Sequence, residues 1–208
     1  MMDAWRELLL QAVSPLESGV NGLQVNGYRP PDYSPEEGPF RPKKTAAVLV
    51  ALLDLPEPEL VLTRRAEHLP QHPGQVSFPG GAAEESDSSA VQTALREAYE
   101  EIGLPAEITT PIGFLDRMDT ISDYRVLPVV AMVKPPVRWI PDEREVAEVF
   151  TVPLSIALDD SLYETRYFES DGNQYTLWSL KYKRFNIWGA TAAIIMNLIV
   201  RMQAIHAQ

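Results

Sequence analysis

The chain has 208 residues, 45% of them hydrophobic and 23% charged, which suits one globular domain with a sizeable core. It has no cysteine, which excludes disulfides, thiol catalysis and thiolate metal sites; with three scattered histidines (His68, His72 and His206) a structural zinc site of the common kind is not expected either. A net charge of −11 argues against a broad electrostatic hold on nucleic acid, but a metal and a few local arginines would still let a pocket take a small anion.

Residues 3–13 have the spacing of an amphipathic helix capped by Asp3. The opening Met1-Met2-Asp3-Ala4-Trp5-Arg6-Glu7 is too charged for a signal peptide. Residues 28–43 hold five prolines and read as a linker or surface wrap. Residues 46–53 form a continuous apolar run of strand length, residues 60–63 form another, and the turn between them predicts a hairpin. Arg64 and Arg65 end the second strand. The planar guanidinium fork suits phosphate, although an isolated Arg-Arg pair also reads as solvated strand-end charge. Residues 75–78 alternate like a short strand and run into Pro79-Gly80-Gly81, where the glycines permit a sharp turn and a close approach.

The next segment is the most informative. Arg96-Glu97-Ala98-Tyr99-Glu100-Glu101-Ile102-Gly103-Leu104 predicts a helix with Glu97, Glu100 and Glu101 at i, i+3 and i+4, so the three carboxylates share a face. Like charges at that spacing destabilise a bare helix, and a hard divalent cation removes the conflict. Val91, Leu95, Ala98 and Ile102 make the opposite, packing face. Ser86, Asp87, Ser88 and Ser89 offer caps at the start, and Gly103 followed by Pro105 ends the helix.

Beyond it, residues 108–116 and 124–133 read as strands around a polar loop at 117–123 that would border a substrate. Glu143, Glu145 and Glu148 form a second acidic group, one of which could reach a site; such runs are more often solvated faces. Residues 162–182 predict a long hairpin turning at Asp171-Gly172-Asn173, and residues 187–204 a mostly buried helix. The apolar run at 189–200 is too short to span a membrane. Strands and helices interleave without regular β-α-β alternation, which favours a mixed sheet between helices. Trp5, Trp139, Trp178 and Trp188 are either core residues or adenine-stacking platforms.

The helical segment resembles the signature of the Nudix hydrolases, in which a glycine is followed by a first glutamate and then by an Arg-Glu…Glu-Glu-x-Gly run. Arg96, Glu97, Glu100, Glu101, Gly103 and Leu104 match it. Ala98 stands where a bulky apolar residue is usual. Fourteen residues separate Gly81 from Arg96, one more than in the general signature, and Asp87 or Ser88 stands at the first glutamate. The stretches Val61-Leu62-Thr63-Arg64-Arg65-Ala66 and His72-Pro73-Gly74-Gln75-Val76-Ser77-Phe78-Pro79-Gly80-Gly81 resemble the coenzyme A pyrophosphatase branch, as do Val126-Leu127-Pro128-Val129-Val130 and Ile187-Trp188-Gly189-Ala190-Thr191-Ala192. Pro70 occupies a position that is often basic in that branch.

The resemblance, over residues 45–205, implies an α/β/α sandwich with a mixed β-sheet and a carboxylate-bearing helix. It implies an N-terminal helix and Pro-rich linker at 1–44, packing on a hydrolase domain at 45–208. It implies Mg²⁺- or Mn²⁺-dependent hydrolysis of the pyrophosphate of coenzyme A or an acyl derivative. The same reaction on ADP-ribose, NADH or another nucleoside diphosphate derivative is the alternative, and a non-catalytic nucleotide sensor is a further one. The metal ligands implied are Glu97 and Glu101, with Glu100 and the Gly80 carbonyl as further ones. Glu100 is alternatively the general base, a role left open among Glu100, Glu143, Glu145 and Glu148. Arg96 orients the carboxylates, pairs with Glu100 along the helix, or does both. The substrate would meet Arg65, Arg64, His72, Gly80 and Gly81, with His72 alternatively only shaping a turn. The partners expected are a small-molecule substrate and neither nucleic acid nor membrane, in a cytoplasmic protein of undetermined oligomeric state.

Overall fold

A computed structural model describes residues 4–16, 44–120, 124–170 and 173–206. The Asp3 cap, the Pro-rich stretch at 28–43, residues 121–123 of the polar loop and residues 171–172 of the hairpin turn lie outside these residues. The elements in chain order are α1 (Ala4–Ala12), β1 (Lys44–Leu53), β2 (Glu59–Arg65), β3 (Val76–Ser77), β4 (Gly80–Ala82) and α2 (Ala90–Ile102). Then come β5 (Thr109–Phe114), β6 (Met118–Asp119), β7 (Tyr124–Val133), β8 (Val146–Pro153), α3 (Leu154–Ala157), β9 (Tyr163–Ser170), β10 (Asn173–Tyr182), β11 (Phe185–Trp188) and α4 (Gly189–His206).

The main sheet runs β3-β2-β1-β7-β5, with β4 on β1, β6 on β7 and β8 on β2. Its central pair, β1 and β7, is parallel over its full length, and the other pairs are antiparallel. The sheet is therefore mixed, as expected. Both faces are covered, which explains why β1 is apolar from Ala46 to Leu53 rather than alternating. Ala47, Leu49, Ala51 and Leu53 face α2, while Val50 and Leu52 face the other core, built with α1 and α4. A second sheet, β11-β10-β9, lies beside that other core, contributing Leu180, Phe185 and Ile187 to it.

Polar side chains tie α1 to α4. Arg201 donates from Nη1 to Asp116 Oδ1 (2.7 Å) and from Nη2 to Ser14 Oγ (2.9 Å), and Asn197 Nδ2 donates to Asp116 Oδ2 (2.8 Å). The buried carboxylate of Asp116 is thus charge-paired and hydrogen-bonded, as burial of a charge requires.

Two expectations shift. The last helix starts at Gly189 rather than at residue 187: Ile187 and Trp188 complete the ladder with Leu180 and Ser179, and Gly189, at φ 62°, breaks it. On α2 the packing stripe runs through Ala94, Ala98 and Ile102, with Val91 and Leu95 at its margin. The small Ala94 and Ala98 let the helix lie close on β1. That close approach carries Glu101 inside as well, at 5% exposure.

Candidate active site

The helix boundaries follow from local chemistry. Ser89 adopts an extended conformation and its side chain accepts from the Gln92 amide, an N-cap. Gly103 is left-handed at φ 66°; its amide donates to Tyr99 O and that of Leu104 to Ala98 O, closing the last turn. The carbonyls of Glu101 and Ile102 accept from the amides of Asp142 and Ile140. Those bonds pin residues 140–142 over the helix end, and the Ala66 amide, just past β2, donates to Glu145 O. So Glu145, at the start of β8, is brought toward α2.

Arg96 is the hub. Its Nη1 donates to Glu97 Oε1 (2.9 Å) and to Glu100 Oε2 (3.0 Å). Nη2 donates to Ala82 O (3.0 Å) and to Asp87 Oδ2 (2.9 Å), and Nε to Asp87 Oδ1 (3.1 Å). Arg96 thus contacts Glu97 and also makes the i, i+4 pair with Glu100. The Asp87 side chain is 2% exposed and also accepts from Thr93 Oγ1 (3.0 Å) and from the Glu84 amide (2.9 Å). Its paired guanidinium holds the carboxyl down at about 2, well below the usual carboxylate range. Asp87, entered in the sequence only as a cap candidate and as one occupant of the first acidic position, is instead the carboxylate that fixes Arg96.

The glycine pair is explained by space. A side chain on Gly80 (φ 152°) would meet the Ala47 carbonyl at 2.4 Å, and one on Gly81 would meet the Glu97 carboxylate at 2.6 Å. The observed contact of Gly80 with the carboxylates is its amide, which donates to Glu101 Oε2 (3.1 Å). Burial pushes the Glu101 carboxyl up to about 8; the Gly80 amide and Arg65 oppose this, while Glu97 and Glu145 add to it. Glu97 is pushed up as well, mainly by burial, with Glu100 and Glu145 contributing and Arg96 opposing.

The two strand-end arginines part company at an irregularity in the β2–β8 ladder between Arg64 and Arg65. Arg64 bonds Glu67 (2.7 Å) and lies 3.8 Å from Glu148, which also pairs with Arg184. Arg65 lies close enough to Glu101 to lower its pKa, and its Nε is buried with no hydrogen-bond partner among the described residues. Among the described residues no hydrogen bond or ion pair joins His72 to this cluster: it is exposed, left-handed at φ 55°, and its carbonyl accepts from the Gln75 amide. Of the downstream acids, Glu145 is the one whose charge acts on both Glu97 and Glu101, whereas Glu148 is taken up by arginines. Trp188 is not a core residue, being 41% exposed.

The donor set around Glu97 and Glu101 is all oxygen, and a buried carboxylate (Glu101) beside a half-buried one (Glu97) fits a hard divalent cation. Among the described residues no three acidic or histidine side chains already stand as a closed metal cage. Arg96 donates to oxygens of Glu97 and Glu100, and the Gly80 amide to one of Glu101.

A profile of the NUDIX domain matches residues 43–168. The chain belongs to the Nudix family. Nudix hydrolases act on pyrophosphate bonds of small nucleotide derivatives and generally use divalent metal ions. The chain is 41% identical over 160 residues to a protein described as "Uncharacterized Nudix hydrolase NudL" from Enterobacter sp. (strain 638), covering 77% of this chain and 83% of that one. A protein of the same description from Cronobacter sakazakii is also 41% identical over 160 residues, with the same coverage. The Nudix fold is further matched by the MutT protein from Methanosarcina mazei Go1, at TM-score 0.51 and 16% identity over 81% of this chain and 98% of that one. Among the described residues no helix is long and apolar enough to cross a membrane.

Proposed function

We propose that this Nudix hydrolase cleaves the pyrophosphate of coenzyme A or an acyl-coenzyme A. The products are 4′-phosphopantetheine, or its acyl form, and adenosine 3′,5′-bisphosphate. The observation that carries the reading is Arg65, part of the 61–81 stretch that resembles the coenzyme A pyrophosphatase branch, poised beside Glu101 with a buried guanidinium N–H that no described acceptor takes. An orphaned buried donor asks for an anionic acceptor, and a phosphate oxygen supplies one.

In this reading Glu97 and Glu101 would hold Mg²⁺ or Mn²⁺, with the Gly80 carbonyl as a further ligand and Glu100 either as another ligand or as the general base. The bound cation would neutralise phosphate charge and lower the pKa of a water. Arg96, clamped by Asp87, keeps Glu97 and Glu100 aimed at the phosphates. Arg65 binds a phosphate, and Gly80 and Gly81 leave space for the chain of the substrate to approach. A water oxygen attacks one phosphorus, the bond from that phosphorus to the bridging oxygen breaks, and the second phosphate leaves with the electron pair. Glu100 or Glu145 accepts the water's proton. Arg64 and His72 have subordinate roles, since Arg64 is held by two carboxylates and His72 shapes the turn before β3.

The test is a panel of coenzyme A, dephospho-coenzyme A, ADP-ribose and NADH at matched Mg²⁺ or Mn²⁺, with products separated by chromatography. Coenzyme A should give the highest kcat/KM, and Arg65→Ala should raise KM for it. A better rate on ADP-ribose or dephospho-coenzyme A overturns the coenzyme A assignment and leaves the alternative pyrophosphatase reading.

A further inference from the structure

The outer edge of β9 is an open strand edge in the second sheet. Among the described residues β9 pairs with β10 alone, so its other side presents a row of unpaired backbone donors and acceptors. The approach is open: Glu164, Thr165, Arg166 and Tyr167 are all exposed, and Tyr167 and the preceding Leu162 are exposed large hydrophobics at 66% and 44%. Three of the usual defences of an edge, proline, lysine and a bulge, are missing from it. Residues 163–170 contain neither proline nor lysine, and the ladder with β10 runs from Tyr163 to Ser170 without a bulge.

The sequence of this edge is complementary to itself. We propose that it takes a second copy of this chain, the two β9 strands pairing antiparallel about a two-fold axis through Thr165. Glu164 then lies opposite Arg166 of the second copy, and Arg166 opposite Glu164 of the second copy. Thr165 meets Thr165 of the second copy, and Tyr163 meets Tyr167 of the second copy. All three kinds of cross-strand pair are favourable ones. Slipping the register by two residues in either direction places Glu164 opposite Glu164 or Arg166 opposite Arg166. Slipping it by one places Glu164 opposite Tyr167 or Thr165. The charges therefore select one register, as an isologous dimer requires. Among the described residues Arg166 makes one long 3.9 Å contact with Glu164 Oε2, and Glu164 accepts from Lys181 Nζ at 2.9 Å through Oε1, which leaves the Arg166 guanidinium and Glu164 Oε2 for the second copy. A single strand pair buries less than a standard stable interface, so the dimer should depend on concentration.

Sedimentation velocity on the full chain tests this directly. The wild-type protein should pass from monomer to dimer as concentration rises over a roughly hundredfold range. Glu164→Arg and Arg166→Glu should each weaken the dimer about tenfold or more, because each places like charges opposite one another twice. An equimolar mixture of the two variants should dimerise again, since one copy then presents two arginines and the other two glutamates. Circular dichroism and turnover should match wild type in both variants, which separates lost association from lost fold. A wild-type chain that stays monomeric at the highest concentration overturns the proposal. So does a dimer indifferent to both substitutions, or a mixture that associates no better than its components.

Discussion

Glu101→Gln should separate stability from activity, and the separation should depend on pH. Glu101 is 5% exposed and its carboxyl is pushed from 4.5 up to about 8, so in the folded chain it resists ionising. Unfolded, it ionises normally. Folding is therefore unpenalised below about pH 4, where the group is protonated in both states. As pH rises through the interval up to about 8 the unfolded state loses its proton first, and stability falls with pH; above about 8 the penalty is complete. At about 1.4 kcal/mol per tenfold, the full displacement sets an upper bound of about 5 kcal/mol. Water entry and relaxation in the folded state reduce this to an expected gap of about 2 kcal/mol. Glutamine keeps the shape and still accepts from the Gly80 amide, but it never ionises. Urea titrations in excess chelator at pH 5 and pH 9 would measure it. The variant should match wild type within about 1 kcal/mol at pH 5 and exceed it by about 2 kcal/mol at pH 9, while kcat with metal falls about 10²-fold. A variant less stable than wild type at pH 9, or equally displaced at both pH values, would refute the idea that this carboxylate is buried against its own charge.

Excess chelator should abolish turnover and added Mg²⁺ or Mn²⁺ should restore it; full activity in chelator would move the chemistry away from the carboxylates. Asp87→Asn removes the charge that clamps Arg96, and kcat should fall about tenfold or more with KM little changed; a change confined to KM would place Asp87 at the substrate instead. Gly81→Ala drives a methyl into the Glu97 carboxylate, so steady-state rates should drop at least about tenfold while the melting temperature moves by only a few degrees.

How much of this was readable in advance depended on how local the cause was. The limits of α2 were legible because Ser89 and Gly103 act on their own neighbours, and the β1–β2 and β9–β10 hairpins because their strands adjoin in sequence. The carboxylate triplet followed from helical spacing alone. Helical spacing did not show that Glu101 is buried, because that follows from how closely Ala94 and Ala98 let the helix approach β1. Nor did the Arg-Arg pair reveal which arginine faces the site, since the ladder irregularity that divides them belongs to the pairing with β8. Glu145 was one of three equivalent acids until the amides of Ile140 and Asp142 were seen to bind the helix end. The Asp87 clamp had a readable signal, an acid in the loop before an arginine, but capping chemistry explained the same residue equally well.

The parallel pairing of β1 with β7 sets a timetable for the nascent chain. Its rungs join Lys44 to Tyr124 and Leu53 to Val133, so the central pairing cannot be completed until residue 133 has left the ribosome. Until then β1 has its hairpin neighbour β2 and the short β4 beside it in the sheet, but no strand along its β7 edge. A chain stalled or cleaved just short of that residue would hold the whole carboxylate helix, with Ser89, Arg96 and Gly103 in place, and yet have no completed surface on which to seat it. Ribosome-bound lengths on either side of residue 133 should therefore differ sharply in resistance to protease, although both already contain every residue of the family signature.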